Sequence, residues 1–513
     1  MSLVGKVGRR RPRARIALAT IYLLLGLGAI TTLYPFVLML VTGLKGPTDQ
    51  NDNRLVPAYL VDSDELLVKY LDDKYSGNVS QIAFSRNGSQ ASADVVTMYD
   101  RFLSDLPLEH WRAGFRTSPN QVTGRLAKRY QRWLRTRYRG DIDALNRAYI
   151  EENVDFQTIQ PPIESYERRQ WRPTAGRKWD EWLEFKAALP NEFRVPLFQR
   201  RLWQEFLRSE FRNRIQDVPV SWVGGASTFE EIPLPVAGGD LWNRFVKESL
   251  PTRFATDSPE ARWRASAGDA DIPIGAYDAR QVQANGAAVR SEFASRNYAY
   301  VLDYVLLNGR AVLNTILFCV LAIATQLIVN PLAAYALSRY PIRASGKILI
   351  FLLATMAFPA EVAMIPSFLL LKDAGLLNTF AALVLPAAAS GYMIFLLKGF
   401  FDSLPQELFE AGQIDGARES TLMAKVALPL SKPVMGYLAL LAFMGAYGAF
   451  LYAFLIAQDQ KMWTLMVFIY QLQSVAPRSV MMAALTVAAV PTLLVFLLCQ
   501  RVIMRGIVLP GER

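Results

Sequence analysis

The stretch whose residue types and spacing point most directly to a mechanical task is 405–433. It reads Pro405-Gln-Glu-Leu-Phe-Glu-Ala-Gly-Gln-Ile-Asp-Gly-Ala-Arg-Glu-Ser and closes on Val426-Ala-Leu-Pro-Leu-Ser-Lys-Pro433. Pro405 suits the first turn of a helix, where its missing N–H removes no bond. Leu408, Ala411 and Gly412 follow along one side of that helix. Gly416, directly after Asp415, can take the left-handed conformation that ends it. A second amphipathic helix then runs to Leu428-Pro429 and breaks there. This predicts a short helix on a membrane surface, shaped to lie in a partner's groove.

Other chemistry has less support. No Gly-x-x-x-x-Gly-Lys-[Ser/Thr] phosphate loop occurs in the chain, so no site for cradling ATP phosphates is evident and no cofactor is expected. The single histidine, His110, leaves no His-rich metal site. Cys319 and Cys499 both sit in apolar segments, which argues against a disulfide framework. Glu151-Glu152, Glu164 and Asp180-Glu181 are carboxylates of the type a glycoside hydrolase would need, but by residue type alone. No catalytic residue is assigned.

The elements that must position the 405–433 loop are apolar and long. Of the 513 residues 52% are hydrophobic, and they crowd into 16–42 and 311–505. The first stretch follows a basic run (Arg9, Arg10, Arg11, Arg13, Arg15) and extends past a signal-peptide core, so it reads as a retained membrane helix. Five more spans are predicted at Ala311–Ser338, Ile348–Leu371, Leu376–Phe400, Pro433–Ala457 and Val480–Met504. Arg339, Arg343 and Lys347, then Arg418, Lys425 and Lys432, then Arg501, Arg505 and Arg513 mark cytoplasmic segments, against isolated Lys372 and Lys461. The net charge of +11 has its source in these flanks rather than in nucleic-acid binding. Six spans with both ends inside place residues 45–300 outside.

The loop now gains a family. Glu410, Ala411, Gly416, Leu428 and Pro429 fall on the EAA pattern of ATP-binding-cassette (ABC) importer permeases with its spacing intact, with Gly412 in place of the second Ala and Val426 in place of Ile. Asn314-Thr315, Ala333-Ala-Tyr-Ala-Leu-Ser-Arg339, Ile365-Pro366 and Leu376-Leu-Asn-Thr379 resemble the carbohydrate-uptake branch, close to the maltose-type inner-membrane subunits. The resemblance covers 1–45 and about 295–513. It implies an all-α membrane protein with six transmembrane helices and a mostly helical extracytoplasmic insertion after the first. The divisions are 1–15 cytoplasmic basic N-terminus, 16–42 first helix, 45–300 insertion, 311–505 permease core with coupling loop 403–433, and 506–513 cytoplasmic tail.

It also implies a mechanism. The loop helix docks in a cleft of a separate ATPase, with Glu410 in a charged or capping contact, Ala411 and Gly412 allowing close approach, and Asp415-Gly416 and Leu428-Pro429 shaping the turns. The implied partners are a second permease subunit, two ATPase subunits, an extracytoplasmic binding protein, a sugar (an oligosaccharide in first place, a polyol or glycerol phosphate in second) and membrane lipid, in the bacterial inner membrane. Gln326, Asn330, Tyr447 and Tyr452 are the candidates for lining the pathway. The chain has Ala446-Tyr-Gly-Ala-Phe450 where relatives often carry Trp-Asn-Asp, so substrate contacts do not transfer directly. Glu361, beside Pro359, reads as a residue at a helix break.

Within 45–300, helices are expected at Arg125–Arg139, Trp179–Leu189 and Pro196–Phe211 from their aromatic and aliphatic spacing. Residues 255–295, rich in Ala, Asp, Gly and Ser, are expected to be looser. Trp111, Trp133, Trp171, Trp179, Trp182 and Trp203 could stack on sugars, although core packing is the default. The competing reading of the whole chain is therefore a membrane-anchored glycan-binding or glycan-cleaving protein. The 405–433 loop separates the two, since a mere anchor has no reason to carry it.

Overall fold

Long apolar runs with no water to bond their backbone must form helices, and the computed structural model is accordingly built almost wholly of them. It describes residues 12–86, 91–113, 122–166, 168–235, 238–307, 310–357 and 359–505. The predicted basic N-terminus and the tail 506–513 thus fall largely or wholly outside the described residues, as does Arg513. The chain divides into two compact units, Met1–Tyr300 with Val475–Ala483 and Val301–Ser474 with Ala484–Arg513.

In the first unit the helix Pro12–Thr42 contains the candidate span Leu18–Thr42, only 6% buried. After it come short helices around three aromatic-rich cores. One core joins Tyr99, Phe102, Trp111, Tyr130, Leu134, Trp182, Phe185 and Trp263. A second gathers Trp203, Leu207, Phe229, Ile232, Phe245 and Phe254. The third packs Leu66, Tyr70 and Leu71 against Val282, Val289 and Phe293. The three expected helices form as Arg125–Arg137, Arg177–Ala187 and Gln199–Glu210. A two-residue antiparallel ribbon, Trp111–Arg112 against Val195–Pro196, is the β-structure among the described residues.

The expectation of looser structure in 255–295 is overturned. Ser258 accepts the Ala261 N–H at 3.2 Å and Pro259 opens the helix Pro259–Ala267. Gly268, at φ +61°, ends it. A helix Ile274–Val301 follows, kinked at Asn285. The alanines that suggested low order are the best helix formers, and capping outweighs the low hydrophobicity.

In the second unit Ala311–Arg339 is a single helix long enough to span. Phe380–Ala387 and Gly391–Asp402 form a pair bent by 52°, and Glu419–Leu430 and Lys432–Tyr447 a pair bent by 82°. Helix Arg478–Arg505, which belongs to this unit from Ala484 onward, contains the candidate span Arg478–Gln500. Three helices are thus long and apolar enough to cross a membrane, or five if each bent pair counts once, among the described residues. The predicted span Ile348–Leu371 folds as two shorter helices, Ser345–Thr355 and Ala360–Asp373, on either side of Pro359. Glu361 stands exposed in the first turn of the second, at the break the sequence indicated. There a carboxylate complements the positive end of the helix.

Candidate functional site

The loop 403–433 opens with helix Glu407–Ile414. Its C-terminus closes by two bonds, Gly416 N–H to Gln413 O at 3.0 Å and Ala417 N–H to Gly412 O at 2.9 Å, with Gly416 at φ +76°. This is the Schellman closure, which requires a left-handed residue at that point. The sequence places glycine there because any Cβ would strain it. Asp415 is the C-cap and is exposed.

The helix is anchored on one side. Phe409 is buried, 5% exposed, and the Arg339 guanidinium lies 3.7 Å from its ring centre. Arg339 Nη2 also donates to Phe401 O at 2.6 Å and Leu404 O at 3.4 Å, tying the end of Ala311–Arg339 to the end of Gly391–Asp402. Gly412 faces Leu422, whose Cδ2 would stand 2.5 Å from an added Cβ. The small residue lets the first loop helix seat on Glu419–Leu422. Glu419 then accepts from Tyr335 Oη at 2.9 Å and from Gln413 Nε2 at 3.3 Å. Ser431, fully buried, donates to Leu428 O at 3.0 Å at the 82° bend. Leu428 is half-buried and Pro429 exposed.

The other side is open. Glu410, Ala411 and Gly416 are exposed, Leu408 is 44% exposed and Ile414 is 86% exposed. Glu410 accepts from Gln406 Nε2 at 2.8 Å one turn earlier. An exposed isoleucine beside small residues on a helix fixed from behind is the arrangement that fits a complementary groove.

Sequence reasoning missed the anchors. Phe409, Leu422 and Glu419 carry no separate role in the sequence, and Tyr335 and Arg339 enter only through a family similarity, Arg339 also as a flanking charge. A local signal did exist, since Phe409 and Gly412 are three apart and so share a face. Leu408 was taken for that face instead.

The four pathway candidates are placed as follows. Asn330, with no exposed surface, donates to Gln326 O at 2.8 Å and Ala388 O at 3.3 Å and accepts the Ser390 N–H at 2.8 Å. It thereby satisfies the backbone freed where Phe380–Ala387 gives way to Gly391–Asp402. Tyr447 donates to Ala488 O at 2.6 Å and Tyr452 to Ala382 O at 2.7 Å. Gln326 is 9% exposed. The Asn314-Thr315 pair holds the segment before Leu465–Leu472, with Asn314 Nδ2 donating to Lys461 O at 2.8 Å and Thr315 accepting the Leu465 N–H at 2.8 Å.

Of the candidate carboxylates in 45–300, Glu151, Glu164 and Glu181 are engaged in structure, and Glu152 and Asp180 are exposed. Glu164 and Lys186 form a fully buried pair at 2.5 Å. Glu164 also accepts the Ala113 N–H, and Lys186 also donates to Leu108 O and Trp111 O. Burial holds the Lys186 ammonium below the usual lysine value, against the opposing pull of Glu164. Glu181 accepts from Arg137, Arg177, Tyr138 and Tyr149; burial would raise its carboxyl, and these bonds hold it below its usual value. Glu151 pairs with Lys178. Trp111, Trp182 and Trp203 are fully buried, and Trp133, Trp171 and Trp179 pack against the cores.

Against known proteins, residues 310–508 match the family described as binding-protein-dependent transport system inner membrane component. The trehalose/maltose transport system permease protein MalG of Thermococcus litoralis is 33% identical over 217 residues, 41% of this chain and 78% of that one. The sn-glycerol-3-phosphate transport system permease protein UgpE of Yersinia pestis is 34% identical over 206 residues, 39% of this chain and 73% of its own length. The polygalacturonan/rhamnogalacturonan transport system permease protein YtcP of Bacillus subtilis is 27% identical over 238 residues, covering 43% and 82% respectively.

Proposed function

The chain belongs to the binding-protein-dependent ABC transporter permeases of carbohydrate-uptake type, and from that premise we propose that it carries an oligosaccharide through the inner membrane as one half of a paired permease. It is a transport subunit of a system that implies ATPase and binding-protein partners. In our reading a second permease subunit completes the pathway, two ATPase copies drive it, and six spans leave both termini cytoplasmic with 45–300 outside. In that topology the 52° pair and the two helices around Pro359 each count as one span, and the fifth span runs through Lys432–Tyr447 and Phe450–Ile456 with Glu419–Leu430 left in the cytoplasmic loop.

The observation that carries the reading is the two-sided loop helix. Phe409, Gly412 and Glu419 fasten it to the ends of the spans, while Glu410, Ala411, Ile414 and Gly416 stay open for an ATPase cleft. When that cleft closes, the loop is displaced as a body, and Arg339 and Tyr335 pass the displacement to Ala311–Arg339. Asp415, Leu428 and Pro429 hold the shape of the two turns. Among the pathway candidates, Gln326 is buried on the helix Ala311–Arg339 and is our lining residue. Asn330, Tyr447 and Tyr452 shape the route by fixing its walls.

Gly416→Pro tests this, because proline can adopt neither φ +76° nor the N–H bond to Gln413. The complex is purified from co-expressed permease and ATPase genes and reconstituted. Wild type should hydrolyse ATP with coupled uptake of a labelled oligosaccharide, and the variant should assemble poorly or lose coupling by tenfold or more. No ATPase bound to the wild type would sink the proposal. Uptake of a polyol or glycerol phosphate is the second reading, favoured by the likeness to the glycerol-3-phosphate permease. Saturable uptake of labelled glycerol 3-phosphate with none of oligosaccharide would install it.

A further inference from the structure

Residues 125–139 hold seven basic side chains and no acidic one (Arg125, Lys128, Arg129, Arg132, Arg135, Arg137, Arg139), while in the remainder of 45–300 acidic side chains outnumber basic ones. At about 100° per residue, positions 125, 128, 129, 132 and 135 fall within an arc of roughly 120°. Tyr130, Gln131 and Leu134 are buried on the opposite side. Arg125 is committed to Glu192 and Glu292, and Arg137 to Glu181 and Glu184. Arg129, Arg132 and Arg139 are exposed and reach no carboxylate among the described residues.

Packing explains only part of this row: Arg125 and Arg129 lie 5.2 Å from the Phe193 ring centre and Lys128 4.0 Å from that of Tyr300, whereas Arg132 and Arg139 lie over no ring among the described residues. Like charges three and four apart on a helix repel, and here they repeat along the whole face. The first turn contains no acidic residue, so Arg125 and Lys128 stand at the end of the helix dipole that disfavours cations. At the far end Arg139 sits at φ +52°, in the position where glycine is cheapest, although Gly140 follows it directly. The turn closes by Gly140 N–H to Arg135 O at 2.9 Å and Arg139 N–H to Thr136 O at 3.2 Å. Gly140 is also left-handed, at φ +79°, so the turn takes two such residues and only one of them is glycine. An exposed arginine holds the other place.

We infer that the exposed face of helix Arg125–Arg137 with Arg139 is a docking surface for a linear oligosaccharide carrying a carboxylate on each sugar. This rests on the sugar-importer reading and narrows its substrate class. Six of the seven cations are arginine, whose planar guanidinium pairs two-pronged with a carboxylate. Their straight, repeated spacing suits a straight polyanion. A lipid surface fits less well, because no large apolar side chain of 125–139 is exposed for insertion.

The test uses the full chain in its assembled complex, in nanodiscs of neutral lipid, with octagalacturonate as probe and maltooctaose as the neutral control. Octagalacturonate should bind with an affinity that falls steeply with added salt, and the triple variant Arg129→Gln, Arg132→Gln, Arg139→Gln should weaken it at least tenfold. Maltooctaose should distinguish neither protein. The inference is overturned if octagalacturonate binds no better than maltooctaose, or binds the variant as well as wild type. It is equally overturned if the three arginines matter only for anionic vesicles or only for an acidic binding protein. ATPase activity recorded on the same sample separates the two readings. An active, coupled complex that ignores octagalacturonate removes the surface alone, whereas wild type without associated ATPase removes the importer reading.

Discussion

The two units handle apolar and polar side chains in opposite ways. In 45–300 the largest aromatic residues are enclosed, with Trp111, Trp182 and Trp203 at no exposure. In the spans the apolar side chains face outward, and the helix Ala311–Arg339 leaves Leu313, Ile316, Val320 and Ile328 more than half exposed. The buried polar groups differ too. Both units bury neutral amides against backbone groups, Gln131 and Gln204 in the first and Asn330 in the second, but the first also buries full charges in pairs such as Glu164–Lys186. A water-facing fold can afford ions that a bilayer-facing one would hold only at a high cost. In the spans, the chain's own breaks create the partners that such neutral groups need.

That contrast can be broken by substitution. The largest effect is expected from Lys186→Met, which leaves Glu164 buried without its cation. Removing one member of a buried pair costs about 3–5 kcal/mol. Denaturation of the purified chain, followed by tryptophan fluorescence, should show the loss, and a change under 1 kcal/mol would mean the pair is not closed off from water as described.

Next comes Glu260, 8% exposed, whose Oε1 accepts the Arg200 N–H while Oε2 is buried without a partner. Burial pushes its carboxyl up to about 7 from an ordinary 4.5. Between those values the folded chain holds a proton that the unfolded chain releases. Stability therefore falls as pH rises through the window and levels off above it, by on the order of 3 kcal/mol in all. Melting temperatures at pH 5 and pH 8 should differ for wild type and converge for Glu260→Gln. Equal slopes in both would dismiss the assignment.

Asn330→Leu should be the mildest. It frees the Ser390 N–H and two carbonyls within the membrane unit, where side-chain bonds of this kind average about 1 kcal/mol or less. A small drop in the detergent-solubilised melting temperature is expected, and a loss as large as that of Lys186→Met would erase the distinction between the units.

The loop was legible in part because its information is local: Gly416 ends the first helix as its position indicated, but Pro405 precedes that helix instead of entering its first turn, and the second helix runs through Leu428-Pro429 to bend at Ser431. The anchors were not legible, because Tyr335 meets Glu419 across 84 residues of chain and Arg339 meets Phe409 across 70. The break at Pro359 carried a visible signal, and the predicted span across it nonetheless ran straight through. Residues 255–295 failed for another reason. Low hydrophobicity was weighed above alanine content and the Ser258-Pro259 start, and helices formed.

The bend at Ser431 makes a crank of the coupling segment. Its short arm, Glu419–Leu430, is about 18 Å long and its long arm, Lys432–Tyr447, about 24 Å, at 1.5 Å per residue. With the angle held at 82°, a push on the end of the short arm cannot slide the long one along its own axis. It swings it, and the far end travels about one and a third times as far as the near end was moved. On the proposed coupling reading, a displacement of the short arm thus becomes a sideways swing of the long one, a motion that parts neighbouring helices instead of lifting one past another.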